Sequence, residues 1–156
     1  MEHEREDAPV SVVANQEAGE GYGSLLTEID HVAIAVKDLD AAIEWYRDVF
    51  GAVVAHRETV EGEGVEEALL AVAESYIQLT RATRDDSPIA TFIEKRGEGV
   101  HHIGYRVDDI HAALKALEAQ GAKLVGEAPR PGSRGTTVAF VHPKSTFGTL
   151  IELVQE

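Results

Sequence analysis

The sequence predicts an α+β domain made of two tandem βαβββ modules, and three observations carry that prediction. HVAIAVKDLDAAIEWY from His31 is matched by HIGYRVDDIHAALKAL from His102 at an offset of 71 residues. The same offset pairs Val36 with Val107, Asp38 with Asp109, Ala41 and Ala42 with Ala112 and Ala113, and Val54 with Val125, as a duplicated module requires. A chain of 156 residues is long enough for one well-buried domain and too short for two ordinary ones, so the copies must build a single unit. Each copy also shows the same order of strand, capped helix and three strand-like runs.

Residues 1–23 hold six acidic residues against one Arg and no amphipathic period. They read as an acidic disordered tail, with the domain over 24–156 and its modules at about 27–83 and 99–156. IDHVAIAV is the first strand. Asp38 is a natural N-cap for a helix through Leu39, Ala42, Ile43, Tyr46 and Phe50, with Gly51 as its stop and Trp45 and Tyr46 expected in the core. Strand-like runs follow at 53–60, 66–73 and 75–80. A linker over 84–99 carries a short helix after Pro88. In the second copy VHHIGYRV is the strand, and Asp109 caps a helix through Ile110, Ala113, Leu114 and Leu117 that Gly121 ends. Strands are expected near Lys123, at 136–141 and at 149–154.

Composition narrows the chemistry. The chain has no Cys, which removes disulfides, thiolate ligands and cysteine nucleophiles together. A net charge of −14 opposes binding to nucleic acid or to anionic membrane surfaces. The acidic N-terminus lacks the basic start of a signal peptide and no apolar run approaches membrane-spanning length, so a cytoplasmic protein is expected.

Strand alternation says where the two histidines point. His31, Ala33 and Ala35 share one face and Val32, Ile34 and Val36 the other, while in the second copy His102, Gly104 and Arg106 oppose Ile103, Tyr105 and Val107. Both histidines thus have small neighbours, as the wall of a cavity needs. Late in each copy come Gln78 and Glu152, 47 and 50 residues after their histidines. A carboxylate inside the apolar run TLIELV is costly unless it meets a cation. Two imidazoles, a Gln and a Glu related by the repeat therefore form a candidate site of N and O ligands for a metal. His101 is assigned by parity to the packed face, and His3, His56, His111 and His142, which have no duplicated partner, to structural or solvent-facing roles.

The duplicated unit, with a His opening each half and a Gln and a Glu closing them, resembles the vicinal oxygen chelate (glyoxalase-like) superfamily. Within it the chain is most similar to the methylmalonyl-CoA epimerase family, from Ile29 to Gln155, through IDHVAIAV, WYRDVFGA, GVEEALL with YIQL, RDDSPIATFIEKRGEGVHHIGYRVDDI, and FVHPK leading to LIELVQ. The resemblance implies a single cavity with a divalent metal, Co2+ first and Mn2+, Zn2+ or Ni2+ as alternatives, on His31, Gln78, His102 and Glu152. It implies inversion at C2 of a methylmalonyl-CoA thioester through an enolate, with Glu67 and Glu152 as the acid–base pair, in a homodimer of propionate metabolism. Glu66 is the competitor of Glu67 but shares the parity of Ala68, Leu70 and Val72. The alternatives are a dual ethylmalonyl-CoA/methylmalonyl-CoA epimerase, a non-catalytic metal-dependent binding protein, and a lyase or glyoxalase-type member. A binding protein has no use for Glu67. The turn STFGT departs from the family pattern, so Phe147 is expected to reshape the acyl pocket, and Lys144, Arg130 and Arg134 are candidates for meeting the CoA phosphates or the malonyl carboxylate.

Overall fold

The computed structural model describes residues 24–156; the acidic segment 1–23 lies outside them. The first half consists of β1 (Glu28–Ala35), α1 (Leu39–Phe50), β2 (Val54–Val60), β3 (Val65–Val72) and β4 (Ser75–Ala82). A linking helix, α2 (Pro88–Arg96), precedes β5 (Gly99–Arg106), α3 (Ile110–Ala119), β6 (Leu124–Pro131), β7 (Thr137–Val141) and β8 (Ile151–Gln155). The helix signals act as the sequence predicts. The Asp38 and Asp109 carboxylates accept from the N–H groups of Ala41 and Ala112, and Gly51 ends α1 in the left-handed region at φ 67°.

All eight strands form one mixed, curled sheet in the order β2-β3-β4-β1-β5-β8-β7-β6. The copies meet at the antiparallel pair β1–β5, and each of these pairs in parallel with the last strand of its own half. Each helix covers one face of its module. Leu39 of α1 packs with Val36, Ala68, Leu70 and Leu79, and Ile110 and Ala113 of α3 with Val107, Ala139, Val141 and Leu153. Each Val, Leu or Ile among them removed from water contributes roughly 1.5–3 kcal/mol before entropy is counted, which fixes the helices on one face and leaves the other for the site.

Two expectations about α1 fail. Trp45 is half-exposed and Phe50 more so, because the helix is wide enough to bury only its Leu39, Ala42, Ile43 and Tyr46 side. Their rings instead pack edge-on against each other at 5.3 Å. The β1–β5 ladder also departs from simple alternation. Its register shifts between Ile29 and His31 and between Ala33 and Ile34, leaving Asp30 and His101 as the extra residues of two β-bulges. These positions are 71 residues apart, so both copies carry the bulge immediately before the candidate ligand. No helix among the described residues is long and apolar enough to cross a membrane.

Candidate active site

The open face of the sheet holds a buried cluster at the junction of the halves. The Nε2 atoms of His31 on β1 and His102 on β5 stand 3.0 Å apart, and each lies 3.5 Å from a carboxylate oxygen of Glu152 on β8. One donor atom from each residue falls within 4.8 Å of the others. Neighbouring donors on a cation held at about 2.1 Å, with angles of about 90° to 110° between them, lie roughly 3.0 to 3.4 Å apart, so the spacing fits a divalent metal. Backbone register produces this convergence. Gln78 pairs with Ala33, two residues after His31, and Glu152 pairs with Gly104, two residues after His102. Gly104 has to be glycine, since a Cβ there would meet His31 Cε1 at 2.3 Å.

Electrostatics reinforce the geometry. Burial pushes Glu152 up to about 7, with the carboxylate of Glu67 adding to the rise and His31 opposing it. His102 is held well below its usual value by burial and by its two neighbouring histidines, which keeps it neutral and able to bind a cation. Burial also acts against protonation of His31, but its hydrogen bond to Asp30 and the charge of Glu152 win and its pKa rises. The His31 Nδ1 is 2.7 Å from Asp30 Oδ2, an arrangement that leaves Nε2 facing the cluster.

Glu67 on β3 lines the same cavity, with Gln78, His102 and Glu152. The Gln78 amide donates to its Oε2 at 2.9 Å, whereas its Oε1 is buried with no hydrogen-bond partner. Burial raises its pKa, against the opposing pull of the nearby Ser133 hydroxyl and of His31. A carboxylate in that position is poised to accept a proton from whatever fills the cavity. Glu66 faces the other way, toward Arg81 and Arg57.

Other expectations are corrected here. His101 is not on the packed face; its bulge turns it toward the cavity, where its Nδ1 lies 2.8 Å from His102 Nδ1 and its ring rests edge-on against Phe92. Phe147 lines no acyl pocket and is fully exposed. Arg134 is committed to Asp30 and Glu156, and Arg130, although it lines the cavity, to Glu63. His56 pairs with Glu58 and His142 accepts from the Lys144 N–H; His3 lies outside the described residues.

Two participants escaped the sequence reading. Asp30, fully buried, receives Arg106 Nε at 2.7 Å and Arg134 Nη2 at 3.1 Å besides His31. Although burial opposes its ionisation, these partners hold it at about 2. The offset that pairs it with His101 is the signal that could have found it. Ser133 lines the cavity from a turn between β6 and β7, and no pattern in the sequence distinguishes it.

Comparison with known proteins finds clear relatives of the whole domain. The model of the glyoxalase/bleomycin resistance protein/dioxygenase superfamily matches residues 30–140. The ethylmalonyl-CoA/methylmalonyl-CoA epimerase of Cereibacter sphaeroides is 40% identical over 133 residues, 84% of this chain and 99% of that protein. Among solved structures, methylmalonyl-CoA epimerase from Mycobacterium tuberculosis is 46% identical with a TM-score of 0.82, covering 85% of this chain and 89% of that one. The Streptomyces coelicolor enzyme in complex with 2-nitronate-propionyl-CoA is 41% identical with a TM-score of 0.80, covering 84% and 98%.

Proposed function

We propose that this chain, which belongs to the glyoxalase/bleomycin resistance protein/dioxygenase superfamily and within it to the methylmalonyl-CoA epimerase family, interconverts (2R)- and (2S)-methylmalonyl-CoA. The observation that carries the reading is the unpartnered Glu67 Oε1, buried in the cavity lined by Gln78, His102 and Glu152, the last two of which meet His31. Inversion at C2 removes a proton on one face and returns one on the other, which two acid–base groups on opposite sides of one small site satisfy. Glu67 and Glu152 fill these roles. Glu67 moves the proton at Oε1 while the Gln78 amide holds its Oε2, and burial keeps Glu67 basic enough to act on a weak carbon acid.

His31, His102, Glu152 and the amide oxygen of Gln78 would hold the divalent cation. When bound, that ion supplies positive charge beside the oxygens on which enolate charge develops. Co2+ is the proposed metal, with Mn2+, Zn2+ or Ni2+ able to take its place, because the donors are imidazole and oxygen without thiolate. The reading extends to a cytoplasmic homodimer serving propionate metabolism. An exposed apolar stretch of α1 and the following turn, Trp45, Val49, Phe50 and Val53, supports a partner surface. A dual ethylmalonyl/methylmalonyl preference is the second reading, favoured by the position of Phe147 outside the cavity.

The test is incubation of the metal-loaded protein with one epimer of methylmalonyl-CoA in D2O. Formation of the other epimer with deuterium at C2 is expected. Unchanged substrate without label in either epimer overturns the reading.

A further inference from the structure

Inversion leaves the site in a different protonation state from the one in which it began. When Glu67 takes the C2 proton and Glu152 returns one to the other face, Glu67 ends as the acid, so a second turnover in the same direction needs Glu67 to lose its proton. Glu67 is only 6% exposed. Its proton therefore needs side chains that lead to water.

Two such side chains stand beside it. Glu58 is the partner of Glu67 in the β2–β3 ladder, and residues directly opposed across a ladder put their Cβ atoms on one face, about 4.5–5.5 Å apart. Like charges in that position destabilise a sheet, so packing alone does not account for the pair. In the second half Val138, the counterpart of Glu67, pairs with Arg130, and the acidic row exists only in the copy that carries the base. β2 is an edge strand, so the row runs from the cavity wall to the rim of the sheet. Two residues along β2, on the same face, His56 Nε2 lies 2.7 Å from Glu58 Oε1, and the two side chains are 36% and 32% exposed. The three groups sense one another. Burial is the main cause of the raised pKa of Glu67, and the charge of Glu58 adds to it while His56 opposes it. Burial also acts against ionisation of Glu58, but the Arg134 N–H, donating at 2.7 Å, and the imidazole of His56 hold its pKa below the usual value. Glu58 is thus an ionised acceptor that does not keep a proton, next to an imidazole, the side chain suited to exchanging protons with water near neutral pH.

We propose that Glu58 and His56 carry the proton of Glu67 to solvent between turnovers. The Glu67 carboxyl gives its proton to the Glu58 carboxylate, Glu58 passes it to the imidazole of His56, and the imidazole releases it to water. Run in reverse, the same row loads Glu67 for the opposite direction of inversion. Neither residue lines the cavity, so the route stays open while substrate or product fills the site.

The inference rests on the epimerase reading, and steady-state kinetics of the metal-loaded protein with each epimer of methylmalonyl-CoA tests the two separately. His56→Gln and Glu58→Gln are expected to lower kcat roughly tenfold or more while kcat/KM stays within about twofold of the parent. At low substrate the reset finishes before the next molecule binds, so only the saturated rate suffers. Added imidazole should restore kcat in His56→Gln, which a purely structural defect would not allow. Glu58→Gln retains a side-chain oxygen for the Arg134 N–H, so the contact between β2 and the turn before β7 survives. Arg57→Gln, on the same strand but directed at Asp40 and Glu66, should behave as the parent. With an active parent, an unchanged kcat in either relay variant, or a joint loss of kcat and kcat/KM that imidazole does not repair, overturns the proposal and leaves the epimerase reading standing. A parent protein that interconverts neither epimer overturns that reading and the proposal with it.

Discussion

The two halves of the molecule agree where they hold the cluster and differ where they would move protons. β1 and β5 begin and end 71 residues apart, as α1 and α3 begin, and His31 and His102 face each other at equivalent positions. Glu67 breaks the pattern. Its counterpart by the same offset is Val138, and the ladder agrees, since Glu67 pairs with Thr80, two beyond Gln78, and Val138 with Val154, two beyond Glu152. Both line the cavity, one as an acceptor with a free oxygen and one as an apolar wall. On the proposed reading, duplication supplies convergent ligands and divergence of one copy supplies the chemistry. The residues behind the ligands diverge too, an anionic Asp30 clamped by two arginines in the first half and a His101 held near 4 by burial and Arg96 in the second.

The largest expected effect probes the symmetric part. His31→Ala or His102→Ala removes bound metal and lowers epimerisation by about a thousandfold or more, while His101→Ala keeps the metal, as measured by elemental analysis and kinetics. Loss of metal in the His101 variant alone would mean that the bulge presents a different imidazole to the cluster.

Next in size is the asymmetry behind the ligands. Asp30→Asn should weaken metal affinity by roughly 10–100-fold, and the equivalent His101→Asn by less, because only the first partner is a charge. In metal-free protein Asp30 is depressed to about 2 from 3.8, so its contribution to stability is present above about pH 4 and is lost as pH falls toward 2. Unfolding of the metal-free Asn variant should accordingly show a shallower decline across that window. A decline identical to that of the parent would show that Asp30 is not the charge the arginines stabilise.

Much of this was legible in the sequence, for a reason visible in particular residues. Helix caps at Asp38 and Asp109 and the alternation of His31 with Ala33 and Ala35 are local rules, and the strict repeat carried them from one copy to the other. The failures have separate causes. A β-bulge shifts parity by one residue, and alternation alone, which cannot see it, places His101 on the packed face and gives no sign of Asp30. Trp45 and Phe50 are exposed because the surface opposing α1 covers only its Leu39, Ala42, Ile43 and Tyr46 side, a limit that amphipathic spacing does not express, and Phe147 lies in a turn where no such spacing applies. Arg130 and Arg134 depend on which carboxylates the long connection between β6 and β7 approaches, a matter of tertiary placement.

The smallest expected effect concerns Phe147. Phe147→Ala should leave the ratio of kcat for ethylmalonyl-CoA to that for methylmalonyl-CoA within about twofold, since the ring lies outside the acyl cavity. A larger change would place Phe147 in contact with the acyl group during turnover.

Glu67 against Val138 is the difference on which the account turns, and Glu67→Gln tests it most directly. The amide keeps the shape of the side chain and cannot accept a proton, so the metal-loaded variant should retain its metal and lose epimerisation by about 100- to 10,000-fold. In D2O, proton exchange at C2 should persist for one epimer only, served by Glu152. Full epimerisation with deuterium entering both epimers at the parent rate would contradict the account and reduce Glu67 to a buried strand carboxylate.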